Sequence, residues 1–97
     1  MKYLLHPDAA LEHEEQVGYY EERRRGLGRR YHRALLAAIR NACRFPQRYR
    51  IVRPPNLRRV SLRGFPLAVI YRDIGDTIQV LAVAHHRREP GYWVRRT

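Results

Sequence analysis

Ninety-seven residues suffice for one domain with a single modest core, and a hydrophobic share of 44% excludes wholesale disorder. A formal net charge of +11 is far from that of an ordinary globular domain and points to a polyanion, an acidic protein, or both as partners. One cysteine, Cys43, excludes an intramolecular disulfide framework, and no apolar run approaches the ~20 residues of a membrane span.

In chain order, Lys2–Leu5 predicts a short strand ended by His6-Pro7. No signal-peptide pattern opens the chain, so a cytoplasmic protein without a membrane partner is expected. Pro7 suits a first helical position, and Asp8 and Glu12 complement the positive end of the helix dipole. A first helix is therefore expected from Pro7 to Arg25, with Ala9, Ala10, His13, Val17 and Tyr20 on its inner stripe. Gly26-Leu27-Gly28 breaks it and turns the next helix back antiparallel. That second helix is expected over Arg29–Arg44, with Tyr31, Leu35, Ile39 and Ala42 inward and Pro46 stopping it. Residues 47–56 are basic and carry Pro54-Pro55, which reads as a surface connection with at most a short strand at Tyr49–Val52.

The period then changes. Leu57–Leu62, Pro66–Arg72 and Thr77–His85 are strand candidates, parted by turn-like Arg63-Gly64 and Ile74-Gly75-Asp76, so consecutive strands should pair antiparallel. Leu67–Tyr71 and Ile78–Val83 are apolar on both faces and predict central strands covered on both sides. The helical hairpin can cover one face; the other needs a cover too, for which a partner protein is a candidate. The predicted fold is a single α+β domain over residues 1–97: an N-terminal strand, then an antiparallel helical hairpin packed on a small, mainly antiparallel sheet, in the order β-α-α-β-β-β.

Charge is unevenly placed. Residues 1–22 set Lys2 against six carboxylates, a balance of −5, while the remainder sets nineteen arginines against three carboxylates, a balance of +16. Arginine's planar fork suits phosphate and carboxylate. The segment from His85 to Arg96 is richest in chemistry: His85 and His86, then Arg87 and Arg88, then Tyr92 and Trp93. The arginines offer a grip on phosphate and the two aromatic rings offer flat faces for a base. Strand alternation places only one of His85 and His86 in a given pocket, and neighbouring cations lower a histidine's pKa. A second basic group comprises Arg48, Arg50 and Arg53 in the connection and Arg58, Arg59 and Arg63 after it, with Arg59 and Arg63 on one strand face. No zinc spacing and no glycine-rich phosphate loop occurs, so neither metal nor cofactor is expected. Cys43, on an apolar helix face, reads as core.

Several of these pieces occur in one characteristic order. His6-Pro7-Asp8-Ala9 opens the first helix, followed by Tyr19-Tyr20-Glu21-Glu22, Gly26-Leu27-Gly28, Pro46, Phe65-Pro66 and Val69-Ile70-Tyr71-Arg72. Ile78–Val83 then runs into His85-x-Arg87-Arg88-x-Pro90-x-Tyr92-Trp93. In these residues the chain resembles the RelE/ParE toxin superfamily over nearly its whole length. The resemblance implies the toxin of a type II toxin–antitoxin pair, blocked by a cognate antitoxin protein from an adjacent gene. RelE-like members cut mRNA on the ribosome, whereas ParE-like members poison DNA gyrase by binding it.

For the endonuclease, His85, His86 and Tyr92 are the candidate acid and base, and Arg59, Arg63, Arg87, Arg88 and Trp93 the candidate contacts to RNA or another target. RNA-cutting relatives often place lysines on the strand before the central ones. Here those positions hold arginine, which keeps its proton and leaves the whole burden on histidine or tyrosine. The large positive charge favours the ribosome and mRNA over gyrase. A basic nucleic-acid-binding domain outside any toxin pair is the third alternative.

Overall fold

A computed structural model describes all 97 residues. The elements are β1 (Lys2–Leu5), α1 (Pro7–Arg23), α2 (Leu27–Arg44), β2 (Ile51–Arg53), β3 (Leu57–Ser61), β4 (Leu67–Ile74) and β5 (Thr77–His85), with a closing 3-10 turn at Val94–Arg96. The α+β prediction holds. The five strands lie in the order β1-β5-β4-β3-β2, with β1 parallel to β5 and every other pair antiparallel. No helix is long and apolar enough to cross a membrane.

The hairpin turn is tighter than its two glycines suggest. Arg24 is extended, Gly26 takes φ +86°, and α2 begins at once with Leu27, so Gly28 lies inside the helix rather than in the break. A Cβ at Gly28 would stand 2.8 Å from the Val17 carbonyl oxygen of α1, so glycine here permits close helix packing. Gly26 has no side chain to cap α2. The Glu21 carboxylate does so instead, accepting from the N–H of Gly26 at 3.0 Å and of Gly28 at 3.1 Å. Those two N–H groups hold its pKa below the ordinary value. The inward stripe of α2 is Gly28, Tyr31, Leu35, Ala38, Ile39 and Ala42.

Between Pro46 and Leu57 the connection does form a strand. β2 pairs with β3 through Ile51 and Arg58, with an irregular register. The predicted order β-α-α-β-β-β thus gains this short fifth strand. Arg58 donates to the carbonyls of Gln47 and Tyr49, which ties down the preceding loop.

The sheet is buried on both faces. Leu67, Val69 and Tyr71 of β4 and Ile78, Val80 and Val83 of β5 meet the helices. Ile70 of β4 and Leu81, Ala82 and Ala84 of β5 face the other way. The switch from even to odd inward residues on β5 has a local cause. Ile70 pairs with Ala82 but Tyr71 pairs with Val80, leaving Leu81 as an extra residue in a β-bulge. The second face is covered in part by the chain itself, since Trp93 packs there and is only 6% exposed. The C-terminal segment thus supplies part of the cover for which a partner protein was a candidate.

Candidate functional site

The C-terminal segment is positioned by one buried acid. β1 ends at Leu5, paired with Val80, so beyond that point β5 has no neighbouring strand on this side. Its open edge would leave peptide groups unanswered. Glu12, on the inward face of α1 and 8% exposed, accepts from the Val83 N–H at 3.0 Å. Arg96 donates to the Leu81 carbonyl at 2.9 Å and to Glu12 at 2.8 Å and 3.2 Å. An ion pair thus stands where a further strand would have paired. Arg96 also approaches Asp8 at 3.7 Å.

Tyr92 and Arg88 join the same carboxylate. The Tyr92 hydroxyl donates to Glu12 at 2.6 Å, and Arg88 reaches it at 3.4 Å. The guanidinium of Arg88 lies 3.8 Å from the centre of the Tyr92 ring, and that of Arg96 lies 5.1 Å from it. Burial, with the hydrogen bond to Glu12, pushes the Tyr92 phenol far above its ordinary pKa. The segment therefore packs as a wall beside the sheet.

Between that wall and β2 lies a cleft of about 660 Å³ on the face away from the helices. Its apolar floor comprises Val52, Ile70, Ala84, Trp93 and Val94, and its rim carries Arg50, Arg53, Arg59, His85, His86 and Arg88. Glu89 is the one acid that lines it. The strong cationic rim and apolar floor suit an anionic segment bearing aliphatic anchors.

Of the residues singled out from the sequence, the fold brings His85, His86, Tyr92, Arg59, Arg88 and Trp93 to this cleft. Arg63 and Arg87 are exposed and do not line it. Arg63 fails to join Arg59 because β3 ends at Ser61 and the chain is already turning. Both histidines line the cleft, contrary to the alternation expected, because β5 ends at His85 and His86 begins a turn. Arg50 and Arg53 join them because β2 runs along the opposite wall. The sequence places Glu12 at the helix dipole and Arg96 in the C-terminal segment, but it does not show that the two pair. The signal for Glu12 was its position three residues after Ala9, on the buried stripe.

The chemistry of the cleft is narrower than its residue types imply. His85 Nδ1 accepts from the Arg87 N–H at 3.0 Å, so in the neutral ring the proton sits on the other nitrogen, which is then a donor and not a base. Desolvation, then the nearby Arg59 and His85, lowers the pKa of His86. The Tyr92 hydroxyl already donates to Glu12, its ring lies beneath cations, and the Trp93 indole is buried. Neither aromatic ring presents a free flat face to a base.

Residues 3–90 match the family described as the ParE toxin of type II toxin–antitoxin systems, parDE. The fold is similar to a solved structure titled "Chromosomal ParDE TA system from P. aeruginosa", with a TM-score of 0.73 at 17% identity, covering 88% of this chain and 95% of that one. No curated protein matches the sequence.

Proposed function

This chain belongs to the ParE toxin family of type II toxin–antitoxin systems, and on that premise we propose that it arrests growth by binding and poisoning DNA gyrase rather than by cutting RNA. One observation carries the choice: the Tyr92 hydroxyl donates to buried Glu12 at 2.6 Å. A general acid must present its proton to the reacting atoms, with a pKa near the working pH. Tyr92 meets neither condition, His85 offers a donor without a basic lone pair, and His86, which can accept a proton, is left without an acid to complement it. The cationic cleft serves as a binding surface. An antitoxin segment carrying carboxylates beside aliphatic side chains fits its rim and floor, and would hold the toxin inactive.

The test is a pair of assays with purified toxin. Gyrase incubated with plasmid DNA should accumulate covalently trapped, cleaved complexes, and a translating extract should keep its mRNA intact. Codon-positioned cuts in ribosome-bound mRNA, without gyrase trapping, would reverse the assignment and return the histidines to catalysis.

A further inference from the structure

We propose that the exposed face of α2 is a second docking surface, separate from the cleft, that takes the phosphate backbone of duplex DNA. α2 carries five arginines and no carboxylate over 18 residues. Arg29, Arg33, Arg40 and Arg44 recur at spacings of four, seven and four. At about 100° per residue they fall within an arc of about 60°, along about 22 Å of helix. All are exposed, and every ion pair in the molecule is made by Asp8 or Glu12 instead. The neighbouring α1 presents Glu14, Glu15 and Glu22, none paired with α2. Glu21 caps the start of α2 and acts electrostatically on Arg29. Arg44 lies 5.4 Å from the centre of the Phe45 ring, so Arg33 and Arg40 are the freest cations of the stripe.

The composition of the face selects the ligand. A membrane or a docking helix needs several apolar anchors, yet the stripe is bordered by just one large apolar side chain, the half-buried Leu36, and otherwise by Ala37, Arg30, Asn41 and His32. Single strands are held largely by stacking on successive aromatic rings, whereas the stripe meets one exposed ring, Phe45 at its C-terminal end, and that ring lies under Arg44 and Arg48. A straight, rigid row of guanidiniums suits the evenly charged backbone of a duplex. The gyrase reading supplies such a duplex, since that enzyme is engaged on DNA; to that extent the inference rests on it.

The experiment measures binding of the toxin alone to a 30-base-pair duplex, by fluorescence anisotropy, across a salt series. Each phosphate contact contributes about −0.9 to the slope of log affinity against log salt. Arg33→Gln with Arg40→Gln should make the slope shallower by about 1.8. Arg63→Gln with Arg87→Gln removes the same charge away from α2 and should leave it unchanged. Circular dichroism verifies that both variants are folded. Equal loss in the two variants would show diffuse attraction and overturn the proposal. Tighter binding to a single-stranded oligonucleotide would overturn it too, as would capture by phosphatidylserine vesicles through Arg33 and Arg40. No gyrase is present, so its outcome is independent of gyrase trapping. Duplex binding without trapping would refute the target reading alone, and trapping without duplex binding would refute this one alone.

Discussion

A carboxylate on the inward stripe of a helix is costly unless its lone pairs are answered, and at Glu12 they are answered by a backbone N–H, a phenol and two guanidiniums. Glu12→Ala leaves Arg96, with its side chain 13% exposed, with only Asp8 at 3.7 Å as a counter-charge beside the β5 edge. It should lower unfolding free energy by about 3–5 kcal/mol in urea titration. Tyr92→Phe removes one hydrogen bond to a charged group and should cost about 1.5–3 kcal/mol in the same measurement. Because both act through one carboxylate, the double variant should lose less than the sum. At a temperature where it stays folded, Tyr92→Phe should still arrest growth. A folded but harmless Tyr92→Phe would restore the phenol to a chemical role.

Among the elements, the helical hairpin shows how a glycine pair misleads. Propensity reads Gly26-Leu27-Gly28 as one break, but Gly28 continues α2 because the α1 backbone lies against it. Gly28→Ala should therefore destabilise by about 1–3 kcal/mol through overpacking, seen as a lower melting temperature, although alanine is the better helix former. The Glu21 cap adds a pH dependence. Its folded pKa lies below the ordinary 4.5, so its contribution is full above that value and is lost as pH falls through the folded value. Melting temperature should fall on acidification below about pH 4.5, and less steeply in Glu21→Gln. β2 was scarcely legible because it has three residues, leads into two prolines and pairs irregularly. Its side chains nevertheless form one wall of the cleft.

Over the whole molecule, arginines gather on two separate surfaces, the cleft and the outer face of α2, while others, Arg63 and Arg87 among them, lie outside both. Arg53→Ala with Arg59→Ala strips the cleft rim without opening the core. It should weaken both growth arrest and antitoxin capture by tenfold or more, about 1.4 kcal/mol, with the melting temperature unchanged. The charge-matched pair Arg63→Ala with Arg87→Ala, outside the cleft, should alter neither. Cell viability under induction and co-purification with the adjacent-gene protein are the measurements. Equal loss in both pairs would show that total charge, not the cleft, sets the binding.

By itself the sequence determined the α+β class, the helical hairpin, the antiparallel strand succession and the family resemblance. Those rest on local periodicity, on turn residues, and on the order of short motifs along the chain. Only the tertiary structure decided which candidate residues share a site and what each is free to do. The partition of His85, His86, Arg59 and Arg63 follows from where two strands stop. The role of Tyr92 follows from contacts between the ends of the chain, and that of Trp93 from packing on the sheet face away from the helices. Glu12 meets Val83, Tyr92 and Arg96 across 71, 80 and 84 residues. No local pattern encodes such a meeting: it exists because β1 stops short of the end of β5, and a buried carboxylate with its arginine completes the edge that the missing strand leaves open.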